Sequence, residues 1–219
     1  MTAPIDMTLD ELRDAAAPLL PAYAVFDGWS DVALAGTATA LGVPADRLKL
    51  CFPGGAIAMI DSWFAAIDRA MIDAFPPERI ATMKIRERIR LLVWTRIELA
   101  SAHADALRRA FSILARPAHA AHAARLGWRA ADLIWRTAGD TSTDFAHYTK
   151  RATLAAVYGT TMLAWIDDDS EGFADTRAFL DHRIEGVMRF EKFKAQLLPS
   201  GDHHFSPARF LGRLRYPAT

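Results

Sequence analysis

Five side chains able to carry charge or a proton crowd one short stretch of this chain: Asp144, His147, Tyr148, Lys150 and Arg151. They open a segment whose continuation, ATLAAVYGTTMLAWI from Ala152 to Ile166, is apolar on nearly every face. Polar groups at the mouth of an apolar element point to a site for an apolar molecule or a protein partner. Metal chemistry is the first alternative. His119 and His122 are spaced i, i+3, and Asp144 with His147 forms a D-x-x-H on a helix. A di-iron bundle needs two Glu-x-x-His pairs and two further carboxylates from facing helices, and no such set exists here. These residues therefore read as surface or capping groups, and His203 and His204 as solvated. Asp167, Asp168 and Asp169 could hold magnesium against a diphosphate, but a single acidic run at a helix end reads first as a solvated loop and N-cap. There is no G-x-S-x-G elbow and no glycine-rich phosphate loop. The lone Cys51, in KLCFPGG, reads as a small core residue. No catalytic residue, no metal and no cofactor are expected, and the chain is not expected to be an enzyme.

Composition narrows the class further. The 219 residues carry 26 basic and 26 acidic side chains, 52% apolar residues and one cysteine. That fits a soluble globular chain without a disulfide or a thiolate zinc site, in a reducing compartment. The N-terminus, MTAPIDMTLDELRD, has no basic region before an apolar core, so no secretory signal is read. No run reaches the roughly 18 apolar residues of a membrane-spanning helix.

The elements that must position these residues all read as helices. Thr8 to Glu11 is a capping box, opening a helix expected to end near Leu20, before Pro21. Ser30 caps a second helix, stopped by Gly42, and Pro44 starts a short third, roughly 44–50. A linking helix then runs from Gly54 and Gly55 to about Ala74. This is the short turn of a helix-turn-helix with a linker behind it. Beyond Pro76 and Pro77, helices are expected over 78–101, 104–115, 117–137 and from Ser142 or Thr143 to Ile166, the last as a buried central helix. A final helix carries Phe173, Thr176, Leu180, Ile184 and Val187 at three- and four-residue spacing. The expected organisation is a helix-turn-helix-like segment over 1–75, a helical body over 78–195 and a tail over 196–219.

Two binding surfaces compete for the aromatic residues and the charges. Trp63, Trp94, Phe111, Trp128, Trp135, Tyr158, Met162 and Trp165 could wall a ligand pocket, but on the residues alone they read first as ordinary core. Lys84, Arg86, Arg88 and Arg90 read as a solvated face. A helix-turn-helix suggests DNA, but residues 1–60 carry seven acidic side chains against three basic ones, a net charge of −4. Phosphate contacts supply most non-specific DNA affinity, so this reading head repels its ligand and no nucleic acid is expected. The tail HHFSPARFLGRLRYPAT mixes Phe210, Leu211 and Leu214 with Arg213, a combination that suits an anionic membrane surface, a docked tail or a disordered one.

The segment AGDTSTDFAHYTKRATLAAVYGTTMLAWIDDDSEGFADTRAFLDHRIEGVMRF resembles the signature region of the ubiquinone-biosynthesis accessory family, the coenzyme Q9 family. GWSDVALAGTATALGVP is similar too, more weakly. The resemblance implies an all-α, TetR-repressor-like helical bundle with a degenerate N-terminal helix-turn-helix. It implies a non-enzymatic homodimer, with its seam on the last two long helices, that binds isoprenoid lipids, quinone precursors included. Such a protein sits at the membrane surface and hands its lipid to a hydroxylase that acts on demethoxyubiquinone. The partner patch of the family falls on Asp144, His147, Tyr148 and Arg151, with Lys150 beside them. The family commonly has Trp where this chain has His147, and its long C-terminal membrane helix is reduced here to FLGRLRYP. The lipid would meet Trp94, Phe111, Trp135, Tyr158 and Met162, and the membrane Phe210, Leu211, Arg213 and Leu214. The expected location is the bacterial cytoplasm, peripheral to the inner membrane, where eukaryotic relatives are mitochondrial. A TetR-like ligand-responsive transcriptional regulator is the alternative.

Overall fold

Eleven α-helices and no strand make up the described chain. The computed structural model describes residues 3–143 and 145–197, with side chains at all of these positions except 77, 80, 145 and 190–197. The expected membrane residues Phe210, Leu211, Arg213 and Leu214 lie outside the described residues, as does Asp144 of the polar cluster. Met1–Ile184 form one compact unit, and a second begins at Glu185.

The capping signals act as written. Thr8 and Glu11 close a reciprocal capping box on α1, Leu9–Ala16. The Ser30 hydroxyl accepts from the N–H groups of Val32 and Ala33 to start α3, Asp31–Leu41, and Gly42 ends it at a left-handed φ of 69°. Pro44 leads into α4, Ala45–Leu50. Between α1 and α3, however, the chain forms a separate helix, α2, Leu20–Asp27, with Pro21 in its first turn. The first amides of a helix have no internal acceptor, so proline costs nothing there. Pro21 therefore starts a helix where a stop was expected.

α5, Ala56–Ala74, is the central strut. It buries Met59, Ile60, Trp63, Phe64, Ile67, Asp68 and Met71, the three- and four-residue rhythm of one helical face. Trp63 stacks between Trp29 and Phe64, with ring centroids 5.3 Å from each. Trp29 also donates its Nε1 hydrogen to the carbonyl of Ala106, 3.0 Å away. The stretch expected as one helix over 78–101 is broken into α6, Pro77–Ile80, and α7, Ile85–Ser101. Arg88 fills that break, donating to the carbonyls of Ala81, Met83 and Ala138 at 2.7, 2.9 and 2.9 Å. Arg90 meets Asp181 at 2.5 Å. The row of basic residues is thus a solvated face only in part: Lys84 and Arg86 are exposed, while Arg88 and Arg90 tie the bundle together.

Four helices complete the body: α8, Ala104–Leu114, α9, Ala120–Thr137, α10, Phe145–Ile166, and α11, Ala174–Leu197. α10 is not buried all round. Arg151, Leu154, Val157, Tyr158, Thr161, Met162 and Trp165 face inward, while Ala152, Thr153, Ala156, Thr160 and Leu163 are exposed. Small residues on its outer side made the apolar count high without making the helix central. Asp168, from the acidic run, takes hydrogen bonds from the backbone and hydroxyl of both Ser170 and Thr176. Those four donors hold its carboxyl far below the usual range.

One tight crossing is testable by stability. A Cβ on Gly36 of α3 would lie 2.5 Å from Cδ1 of Tyr23 in α2. Gly36→Ala should therefore destabilise by about 1–3 kcal/mol through overpacking, although alanine is the better helix former. Urea unfolding of both proteins measures it, and an unchanged midpoint would contradict the crossing.

Candidate functional site

α9 ends in a reversal that fixes the polar cluster. Gly139 takes φ of 94°, and the Asp140 N–H turns back to the carbonyl of Trp135 at 2.9 Å. That C-cap is open to glycine because its left-handed conformation costs other residues energy. It delivers the Asp140 carboxylate to the first turns of α10. There Lys150 donates to one oxygen at 2.6 Å, and Ser142 and Arg151 donate to the other at 2.7 and 3.1 Å. Arg151 also donates from Nε to Asp132 at 2.6 Å and from Nη1 to the carbonyl of His147 at 3.1 Å. Burial would raise the Asp140 pKa, but the donors on Lys150, Ser142 and Arg151 outweigh it and lower the pKa to about 2.

The expected partner patch is therefore split. Arg151 is 1% exposed and enclosed by two carboxylates, so it cannot be the surface contact assigned to it. Lys150 pairs with Asp140 and lies 5.3 Å over the Trp135 ring, whose Nε1 donates to the Lys150 carbonyl. His147 is half-buried, its Nδ1 2.9 Å from the carbonyl of Ser142. Tyr148 alone of these is well exposed, at 61%. Its ring lies 5.2 Å from His147 and 6.2 Å from Trp128, itself 37% exposed. Trp128, expected as core or cavity wall, instead joins Tyr148 and His147 in a surface group of aromatic rings.

A cavity of about 560 Å³ opens between α8, α9 and α10, with Phe64 of α5 and Arg96 of α7 also in its wall. Phe111, Tyr158 and Met162 line it as expected; Leu114, Leu126 and Leu163 complete its bulky sides. Trp94 and Trp135 do not line it. Trp94 donates to Glu98 and is covered by the Arg177 guanidinium at 3.8 Å, and Trp135 is tied up beneath Lys150. The space itself comes from residues too small to fill it: Ala123, Ala124, Gly127, Ala155, Ala156 and Gly159. A Cβ built on Gly159 would meet no atom within 4 Å. The repeated Ala and Gly of AAHAARLG and ATLAAVYG were the available signal, overlooked beside the aromatic residues.

Arg96 was not anticipated. It sits on the buried stripe of α7 and pairs with Asp68 on the buried stripe of α5. Asp68 also meets Nε of Arg129 at 3.2 Å, and Arg129 pairs with Asp61. His122 Nε2 stands 3.9 Å from Asp61. Among the described residues no group of three or more His, Cys, Asp or Glu could hold a metal ion. No described helix is long and apolar enough to cross a membrane.

The helix-turn-helix has spent its cations. Arg47 donates to the carbonyls of Ile5 and Met7, and Lys49 pairs with Asp31.

Comparison with known proteins shows what this chain is similar to. Residues 120–191, which contain α9, α10 and the aromatic group, match the COQ9 family model. The chain resembles COQ9. The human ubiquinone biosynthesis protein COQ9, mitochondrial, is 29% identical over 86% of this chain and 60% of its own length. Its Schizosaccharomyces pombe counterpart is 26% identical over 86% of this chain and 74% of its own. The rat protein reaches 38%, over 52% of this chain and 36% of its own. The chain thus spans about 60% of the human relative's length. A TetR transcriptional regulator from Nitrosomonas europaea, of known crystal structure, superposes with a TM-score of 0.66 over 82% of this chain and 99% of its own, at 22% identity. That likeness shows the fold, a TetR-like helical bundle.

The Asp140 network predicts an acid-sensitive fold. A carboxyl whose folded pKa is depressed contributes fully above its unfolded value, about 3.9, and the contribution disappears as pH falls through the folded value. Wild-type stability should therefore fall by about 2 kcal/mol more than that of Asp140→Asn between about pH 5 and pH 2. Denaturant midpoints across that range measure the difference. Parallel profiles would mean the network carries no such linkage.

Proposed function

We propose that this protein acts in ubiquinone biosynthesis as a non-enzymatic lipid carrier. It holds an isoprenoid quinone precursor in the α8–α9–α10 cavity and presents it to a hydroxylase of the pathway, at the demethoxyubiquinone step. The observation that carries this reading is the cavity itself, apolar over most of its wall, roomy, and built largely from the segment that matches COQ9. Its volume is in the range of pockets that enclose drug-sized ligands. A long prenyl tail would extend beyond it, toward the membrane on which the protein works. In this reading the chain is a homodimer through α10 and α11, peripheral to the bacterial inner membrane. Tyr148, with Trp128 and His147, is its contact for the hydroxylase, since exposed aromatic groups make strong interface anchors.

Gly159 gives a clean test. Leucine there fills empty space in the cavity wall and should stabilise α10, because glycine is a poor residue in a helix interior. Native mass spectrometry of gently purified wild-type protein should show retained lipid, and Gly159→Leu should lose it without losing stability. A lipid-free wild type, or an equal load in Gly159→Leu, would count against the carrier reading.

The partner arm is separable. Tyr148→Ala should weaken capture of the hydroxylase by about tenfold or more, as for a truncated hot-spot aromatic residue, while leaving the lipid load intact. Surface plasmon resonance with the purified hydroxylase reads this directly, and unchanged affinity would remove Tyr148 from the interface.

A transcription regulator with the same fold is the competing reading. Tight, saturable DNA binding in a low-salt electrophoretic shift would favour it, but the committed Arg47 and Lys49 argue for none.

A further inference from the structure

The cavity wall carries three polar side chains, Arg96, Tyr158 and Thr160. The Thr160 hydroxyl is spent inside α10, 2.8 Å from the carbonyl of Ala156 and 3.1 Å from that of Val157. Arg96 keeps donors in reserve. Its side chain is 2% exposed, its Nη1 donates to Asp68, and its Nε is buried with no hydrogen-bond partner. The guanidinium carbon lies 5.2 Å from the centre of the Tyr158 ring, a second part of the same wall. A guanidinium has five N–H donors in a fixed plane; Asp68 takes only Nη1, and the side chain forms part of the cavity lining, so donors other than the enclosed Nε are left for a molecule there.

The surrounding charges decide which acceptor it suits. Arg96, Asp68, Arg129 and Asp61 alternate in sign along one chain of contacts and cancel. No unbalanced cation is left for an anion, and burying a carboxylate or phosphate without one is costly. A cationic group would meet donors rather than acceptors. What remains is a neutral oxygen. We propose that the Arg96 guanidinium is the hydrogen-bond donor that selects, among apolar molecules of like size, those carrying a neutral acceptor oxygen such as a quinone or ketone carbonyl. This selection rests on the lipid-carrier reading above and goes further by naming the group recognised and the residue that recognises it.

The test uses displacement of a neutral naphthylamine fluorophore from the delipidated full chain by decylbenzoquinone, decylbenzene and para-decylbenzoate. The quinone should bind about tenfold more tightly than decylbenzene, the difference expected for leaving a buried donor without a partner, and more tightly than the benzoate. Arg96→Met should erase that preference without weakening decylbenzene. Asp68 keeps Arg129 in that variant, and Asp68→Asn with Arg96→Met removes both charges should the single change unfold the chain. Tyr158→Phe should retain the preference. Equal binding of quinone and decylbenzene to the wild type, or a preference for the benzoate, overturns the proposal and leaves the carrier reading standing. So does a preference that survives loss of Arg96 or disappears with the Tyr158 hydroxyl alone. Failure of every compound to displace the fluorophore overturns the carrier reading and this proposal together.

Discussion

Asp68 and Arg96 occupy positions where the rhythm of their helices calls for apolar side chains, and the two buried charges meet across α5 and α7. Taking an ion pair out of water costs several kcal/mol per charge, regained only with close geometry and further partners. Here the further partner is Arg129 of α9, held in turn by Asp61. Three helices are thus bound at one level of the bundle, and a slip of any one would strand a charge. A purely apolar seam would pack α5 on α7 at less cost but would tolerate sliding. The ion chain sets the register, and with it the place where Phe64 and Arg96 enter the cavity wall.

A second buried arginine does the same for the other end of α10. Arg151 is enclosed by Asp132 and Asp140, which reach it from α9 and from the loop that Gly139 allows. α10 is therefore located at its start by Arg151 and further along by Tyr158, under the guanidinium of Arg96. Between and around these fixed points lie Ala155, Ala156 and Gly159, facing Ala123, Ala124 and Gly127 of α9. These small residues let the two helices come close, a Cβ on Gly127 lying 3.9 Å from that of Ala155, and the same lack of side-chain volume leaves the cavity beside them. The same arrangement leaves Tyr148 outward, since its neighbours Lys150 and Arg151 are both drawn onto Asp140.

How far these features could be read beforehand follows their range along the chain. Ser30, Gly42 and the Thr8–Glu11 box act within a single turn, and each marks a helix end correctly. Pro21 misleads because one residue can close a helix or open one, and only the turn before it decides. Phe111, Tyr158 and Met162 were recognisable as bulky residues on inward faces. Gly159 and its small neighbours were passed over, because a cavity is made by what the side chains lack and the aromatic residues drew the reading instead. Arg151 was misassigned because nothing local tells that Asp132, 19 positions earlier, will reach it. Asp68 and Arg96 were missed as well, although single charges inside otherwise apolar stripes are a pattern that signals a buried pair.

The fold is shared with a transcription regulator, and a shared fold does not by itself carry a shared function. α3, the turn at Gly42 and α4 form a helix-turn-helix, so the shape for entering a groove exists. Affinity for DNA is a matter of charge, and the first 60 residues are net acidic. The two cations of α4 have partners within the chain, Arg47 on the backbone carbonyls of Ile5 and Met7 and Lys49 on Asp31 at the start of α3. In the body of the protein Arg96 is paired with Asp68 through Nη1 while its Nε has no hydrogen-bond partner, and the side chain forms part of the cavity wall.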